Sequence, residues 1–160
     1  MGLLPLLGLM KKSDRPLSQP QKILLVDDNR HGLAARRQVL EEMGYEIVTT
    51  TSAEAALEIV SSQHFDLVVT DYKMYEMNGL QLIARLRVTA PNLPTILLSG
   101  FVEPLGLTEE STGASAVLSK SAGEVGQLTR TVRSLLASRI NRKPASSQRS
   151  SSAAAAARKD

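Results

Sequence analysis

The 160-residue sequence contains no cysteine, which excludes disulfides and thiolate metal sites. It has only two histidines, His31 and His64, far apart in the chain, so a zinc centre built on clustered imidazoles is disfavoured. Tryptophan is also missing, so no titration can be followed by its fluorescence. No long apolar run is present: a spanning helix needs ~20 apolar residues, and the stretch from Gly2 to Met10 offers nine. Its positive charges, Lys11 and Lys12, follow it, whereas a signal peptide carries them in front. Leu6 stands where a myristoylation pattern requires Ser or Thr. Residues 1–20 are therefore expected to form a flexible leader.

Charge is present but unevenly divided. Residues 21–138 hold ten Lys/Arg against fourteen Asp/Glu, whereas the flanks hold nine Lys/Arg against Asp14 and Asp160. The body is mildly acidic, and the basic character lies in the tails. A nucleic-acid-binding core is disfavoured by that split. From about residue 140 to 160 the chain is rich in Ser and Ala with little to bury, and a disordered basic tail is expected.

The body is organised around Phe65-Asp-Leu-Val-Val-Thr-Asp71. Leu67 to Thr70 run without a charge, as in a strand buried on both faces of a parallel sheet. Lys22–Val26, Glu46–Thr50, Thr95–Leu98 and Ala116–Leu118 read as four further strands. Helices are expected over Arg30–Met43, closed by Gly44, over Ala53–Gln63, capped by Ser52, and over Gly79–Thr89, stopped by Pro91 and Pro94. Phe101–Thr112 is a poor helix, interrupted by Pro104 and Gly106. Ser121 and Glu124 fit a capping box opening a last helix with Val125, Leu128, Val132, Leu135 and Leu136 in one inward stripe. Strands alternating with helices predict an α/β domain, a parallel sheet covered on both faces.

Polar residues stand after four of the apolar runs: Asp27 and Asp28, Asp71, Ser99, and Lys120. In such a sheet these ends lie on one edge, where ligands bind. Three crowded carboxylates repel one another unless a cation joins them. Mg²⁺ suits them, because it takes oxygen ligands and leaves room for phosphate oxygens and water. With a Lys and a Ser hydroxyl to receive an anion, this is the chemistry of phosphoryl transfer, with an aspartate able to act as nucleophile.

Lys22-Ile-Leu-Leu-Val-Asp27-Asp28, Asp66-Leu-Val-Val-Thr-Asp71-Tyr-Lys-Met74, Asn78-Gly79-Leu80, Leu97-Leu-Ser99-Gly100 and Gly113-Ala114 with Lys120 resemble the receiver domain of bacterial response regulators. The resemblance covers about residues 21–139, with the motifs in the family's order. It implies a flavodoxin-like doubly wound (βα)5 fold. It implies Asp71 as phosphoacceptor, Mg²⁺ held by Asp28 directly, by Asp27 mainly through water, by Asp71 and by the backbone carbonyl of Lys73. Ser99 and Lys120 would contact the phosphoryl oxygens. The implied function is that of a cytoplasmic single-domain response regulator, not an enzyme, with no DNA-binding domain. It would take phosphate from a sensor histidine kinase or phosphotransfer protein and signal to a downstream protein by contact or by relay.

Three positions depart from the family's pattern. Ser121 replaces the usual Pro after the Lys, so a trans bond or strain is implied there, since a cis bond without Pro costs ~3 kcal/mol. Val117 replaces the aromatic switch residue, and Tyr75 replaces a Pro four residues beyond the acceptor. Val117, Ser121 and the weak fourth helix favour an alternative, a receiver-like interaction module whose binding does not depend on phosphate. An aspartate-nucleophile phosphatase is set aside, because its second Asp would fall where Lys73 stands.

Overall fold

The computed structural model describes residues 19–100 and 102–141. Residues 1–18 of the leader expected over 1–20, and residues 142–160 of the tail expected over 140–160, lie outside them. Five strands, β1 (Lys22–Val26), β2 (Glu46–Thr50), β3 (Leu67–Asp71), β4 (Thr95–Ser99) and β5 (Ala116–Ser119), form one sheet in the order β2-β1-β3-β4-β5. Every pairing is parallel, with Leu25 opposite Val69 and Leu97 opposite Val117. The flavodoxin-like doubly wound architecture is therefore what the chain adopts. The chain steps outward from β1 to β2 and then returns to β3, so the winding reverses between β1 and β3. A crevice opens at the carboxyl ends of those two strands.

Period-two alternation in the strands divides the core between the two faces. Ile23, Leu25, Leu67, Val69, Ile96 and Leu98 point to one face. There they meet Leu33 and Leu40 of α1 (Arg30–Glu42) and Leu128, Val132 and Leu136 of α6 (Glu124–Asn141). Leu24, Val26 and Val68 point the other way, onto Ala53 and Ala56 of α2 (Ala53–Ser62) and Leu82 and Leu86 of α3 (Gly79–Thr89). Strands apolar on both faces are what such a two-sided covering requires. Truncation of a fully buried residue such as Leu98 to Ala removes contacts worth ~2–5 kcal/mol.

The helix starts follow their capping residues. The Asn29 side chain accepts from the N–H groups of His31 and Gly32, and Ser52 accepts from Ala55 N–H. Asn78 and Gln81 form a reciprocal capping box at α3. The poor helix of the fourth crossing divides into α4 (Val102–Leu105) and α5 (Glu109–Thr112), with Gly106 at φ 60° between them.

The last helix differs from expectation at its start. Glu124 N–H donates to the Ser121 backbone carbonyl, while the Glu124 carboxylate accepts from Arg36 Nε at 2.7 Å. A charged partner on α1 outcompetes the local capping box, because a charge-assisted bond is about twice as strong as a neutral one. Val125 is likewise half exposed rather than part of the inward stripe, since α6 contacts the sheet only from Leu128 onward. The peptide bond at Ser121 is trans.

Candidate functional site

Strands β3 and β4 each run one residue beyond the expected apolar core, so Asp71 and Ser99 are strand residues held by the ladder. Their rigidity comes from backbone pairing. Tyr72 N–H donates to Leu98 O, and Gly79 N–H donates to Tyr72 O, both at 2.8 Å. Gly79 therefore lies directly against the strand end. A Cβ at this position would press into the backbone carbonyl oxygen of Asp71 and come within 2.8 Å of Leu97 Cδ1. Only a residue without a side chain allows α3 to begin this close to Asp71.

The strand ends enclose a cleft of about 340 Å³ lined by Asp27, Asp28, Asn29, Asp71, Lys73, Ser99, Gly100 and Lys120. All the residues expected to form the site are thus brought together, with the exception of Val117. That side chain packs under the edge instead, against a small cluster of Ile83, Leu97 and Ala114. Carboxylate oxygens of Asp27, Asp28 and Asp71 lie within 4.8 Å of one another. Asp27 and Asp71 are buried and Asp28 is exposed, so the three differ in their access to solvent.

Lys120 reaches across the cleft. Its Nζ is 2.7 Å from Asp71 Oδ1 and 3.4 Å from Asp27 Oδ2. Lys120 is carried there by the continuation of the β4–β5 pairing, in which its N–H donates to Ser99 O at 2.9 Å. Burial pushes the Asp71 carboxyl above the ordinary range. The hydrogen bond from Lys120 opposes that rise, and the neighbouring Asp27 and Asp28 charges add to it. Asp27 goes the other way. Burial acts to raise it, but the Asn29 N–H, Arg36 and Lys120 together hold it below the ordinary range.

Two charged residues were not legible as members of this site. Arg36 of α1 places Nη1 2.7 Å from Asp27 Oδ2 and Nε 2.7 Å from Glu124 Oε1. Both carboxylates favour the charged guanidinium against the cost of its burial and raise its pKa. One signal was available in the sequence: Gly32 sits four residues before Arg36, on the same helix face. A side chain at Gly32 would approach Arg36 Nη1 to 3.1 Å and Asp27 Oδ2 to 3.5 Å. The glycine leaves the space that the guanidinium fills.

The donor set fits a small divalent cation. It consists of hard carboxylate oxygens on one open side of the cleft, with one acid exposed enough to meet a hydrated ion, as Mg²⁺ requires. Among the described residues no helix is long and apolar enough to cross a membrane.

A five-stranded doubly wound sheet with three acids, a serine and a lysine gathered at its carboxyl edge has the features of a receiver module of two-component signalling. The family model of the response regulator receiver domain matches residues 23–133, and the chain belongs to that family. It is 35% identical over 109 residues to the alginate biosynthesis transcriptional regulatory protein AlgB of Pseudomonas aeruginosa, covering 68% of this chain and 22% of that protein. It is 39% identical over 80 residues to the response regulator FleR of the same organism, covering 50% of this chain and 17% of the relative. The chain thus spans about a fifth of the length of these two curated relatives. Among solved structures it resembles the response regulator TrrA of Thermotoga maritima, determined with Mg²⁺ and BeF. That likeness has 29% identity and a TM-score of 0.66, over 72% of this chain and 98% of the other. A receiver domain of a signal transduction histidine kinase from Syntrophus aciditrophicus matches at 25% identity and a TM-score of 0.70, over 78% and 96%.

Proposed function

We propose that this chain accepts a phosphoryl group on Asp71 from a phosphohistidine donor and thereby changes its contacts with a partner protein. The observation that carries this reading is the approach of Lys120 Nζ to Asp71 Oδ1 at 2.7 Å, beside two further acids. The lysine thereby offsets part of the burial that disfavours the charged Asp71 carboxylate at the mouth of an oxygen-rich cleft. An Asp71 carboxylate oxygen attacks phosphorus, the P–N bond to the donor imidazole breaks, and its electron pair stays on the imidazole nitrogen. In this reading Lys120 and the Ser99 hydroxyl would receive the phosphoryl oxygens.

Mg²⁺ would be held by Asp28 directly, by Asp27 through water, by Asp71 and by the Lys73 carbonyl. It would neutralise charge on the transferring group. Asp27 suits the indirect role, because Oδ1 accepts from Asn29 N–H at 2.9 Å and Oδ2 from Arg36 at 2.7 Å. The Mg²⁺–BeF complex of TrrA is consistent with this assignment. The donor would be a sensor histidine kinase or phosphotransfer protein in the cytoplasm. The chain itself is modified once per cycle rather than turning over a substrate.

Incubation with acetyl phosphate and Mg²⁺ tests the reading. One phosphoryl group should appear on Asp71 and none on Asp71→Asn, since an amide is a far poorer nucleophile than a carboxylate. Label retained in that variant would overturn it. A phosphate-independent interaction module is the second reading, favoured by Val117 packed against Leu97 and Ala114, where no ring is available to swing. Partner affinity with and without beryllofluoride separates the two.

A further inference from the structure

The Asp27–Arg36–Glu124 bridge joins the acid cleft to the first residue of α6. Arg36 Nη1 holds Asp27 and Nε holds Glu124, both at 2.7 Å. Only 10% of the Arg36 side chain is exposed. The planar guanidinium offers both donors in a fixed fork, which the point charge of a lysine cannot reproduce. Gly32 stands in the first turn of α1, where an added Cβ would come within 3.1 Å of Arg36 Nη1 and 3.5 Å of Asp27 Oδ2. The arrangement is therefore more than a surface ion pair.

We propose that Arg36 is a positioning residue that transmits occupancy of the acid cleft to α6, by dividing its guanidinium between Asp27 and Glu124. The inference rests on the phosphoryl-accepting reading given above. Asp27 Oδ2 already has two cations near it, Arg36 at 2.7 Å and Lys120 at 3.4 Å. Any further positive charge gathered by Asp28 and Asp71 weakens the hold of Asp27 on Arg36. The guanidinium then shifts its balance toward Glu124, which it already touches, and the start of α6 follows. The usual path through an aromatic ring is closed, because that position is Val117. Next to Glu124 in the chain is Val125, whose side chain is half exposed, so the surface that changes includes an apolar contact.

The test follows Mg²⁺ and then beryllofluoride binding to the full chain by amide chemical shifts, with the Mg²⁺ affinity taken from the same titrations. In the wild-type chain the amides of residues 124–128 should move with the same midpoint as those after Asp71. Arg36→Lys keeps the charge but not the fork, so the α6 response should be lost while Mg²⁺ still binds. Arg36→Met removes a cation beside the site, so Mg²⁺ should bind about fivefold tighter, again with α6 silent. Glu124→Gln, a milder change at a more exposed side chain, should also silence α6 but weaken Mg²⁺ slightly, because the guanidinium then acts on Asp27 alone. Responses of α6 in Arg36→Met that equal those of the wild type would overturn the inference, as would unchanged Mg²⁺ affinity in that variant. Binding with α6 silent in the wild-type chain overturns this inference alone. Failure of the wild-type chain to bind Mg²⁺ and beryllofluoride overturns the phosphoryl-accepting reading as well.

Discussion

Lys120 Nζ sits 2.7 Å from Asp71 Oδ1, closing an ion pair between the ends of two strands separated by β4. The lysine side chain is about a quarter exposed and the aspartate nearly buried. The lysine therefore opposes the rise in the Asp71 pKa that burial causes. Removing it should have two separable effects. In Lys120→Met the Asp71 carboxyl should titrate higher than in the wild-type chain, as read by carboxyl carbon chemical shifts. Phosphorylation by acetyl phosphate should slow on the order of 100-fold, the typical loss when one donor to a developing anion is removed. An unchanged titration would mean that Lys120 contributes no charge compensation in solution.

The raised pKa of Asp71 makes the fold pH-dependent with a definite sign. The folded chain holds this proton more tightly than the unfolded chain, whose Asp titrates near ~3.9. Stability therefore falls as pH rises from the unfolded value through the folded one, and the penalty is complete above it. Asp71→Asn lacks that penalty. Its stability advantage over the wild type should be largest at neutral pH and shrink as pH approaches 4, in denaturant melts at several pH values. Asp27 runs oppositely: its folded pKa is lowered, so its contribution is present above the unfolded value and lost as pH falls through the folded one.

The unequal environments of the two leading acids predict unequal roles in metal binding. Asp28 is exposed, whereas both oxygens of Asp27 already accept hydrogen bonds. Calorimetry should show Mg²⁺ binding removed by Asp28→Ala and weakened by ~10-fold in Asp27→Ala, as for a group that acts through others. Equal losses would refute the division.

Gly79 carries a prediction that concerns packing alone. Its Cβ-free approach to the Asp71 carbonyl leaves little room to yield, because the nearest obstructing atom is backbone. Gly79→Ala should destabilise the chain by about 1–3 kcal/mol, despite the better helix propensity of alanine, and should slow phosphorylation by displacing Asp71. A thermal melt equal to that of the wild type would show that α3 can retreat without cost.

Periodicity and composition were enough to determine the strands, the parallel sheet and the edge on which its polar residues gather, because those features depend on local alternation and on which residues avoid water. Asp27, Asp28, Asp71, Ser99 and Lys120 could be singled out for the same reason: each stands where an apolar run stops. Tertiary structure alone decided the partners of Arg36. A guanidinium on a polar helix position looks like a solvated charge until α6 brings Glu124 to it from the far end of the chain. The Ser121–Glu124 capping box yielded to that same contact, and Val125 was left outside the core because α6 meets the sheet only from Leu128 onward. Local pattern determines what a segment can bury, whereas the choice between a neighbouring backbone N–H and a distant charge is made by energies that exist only once the helices are packed.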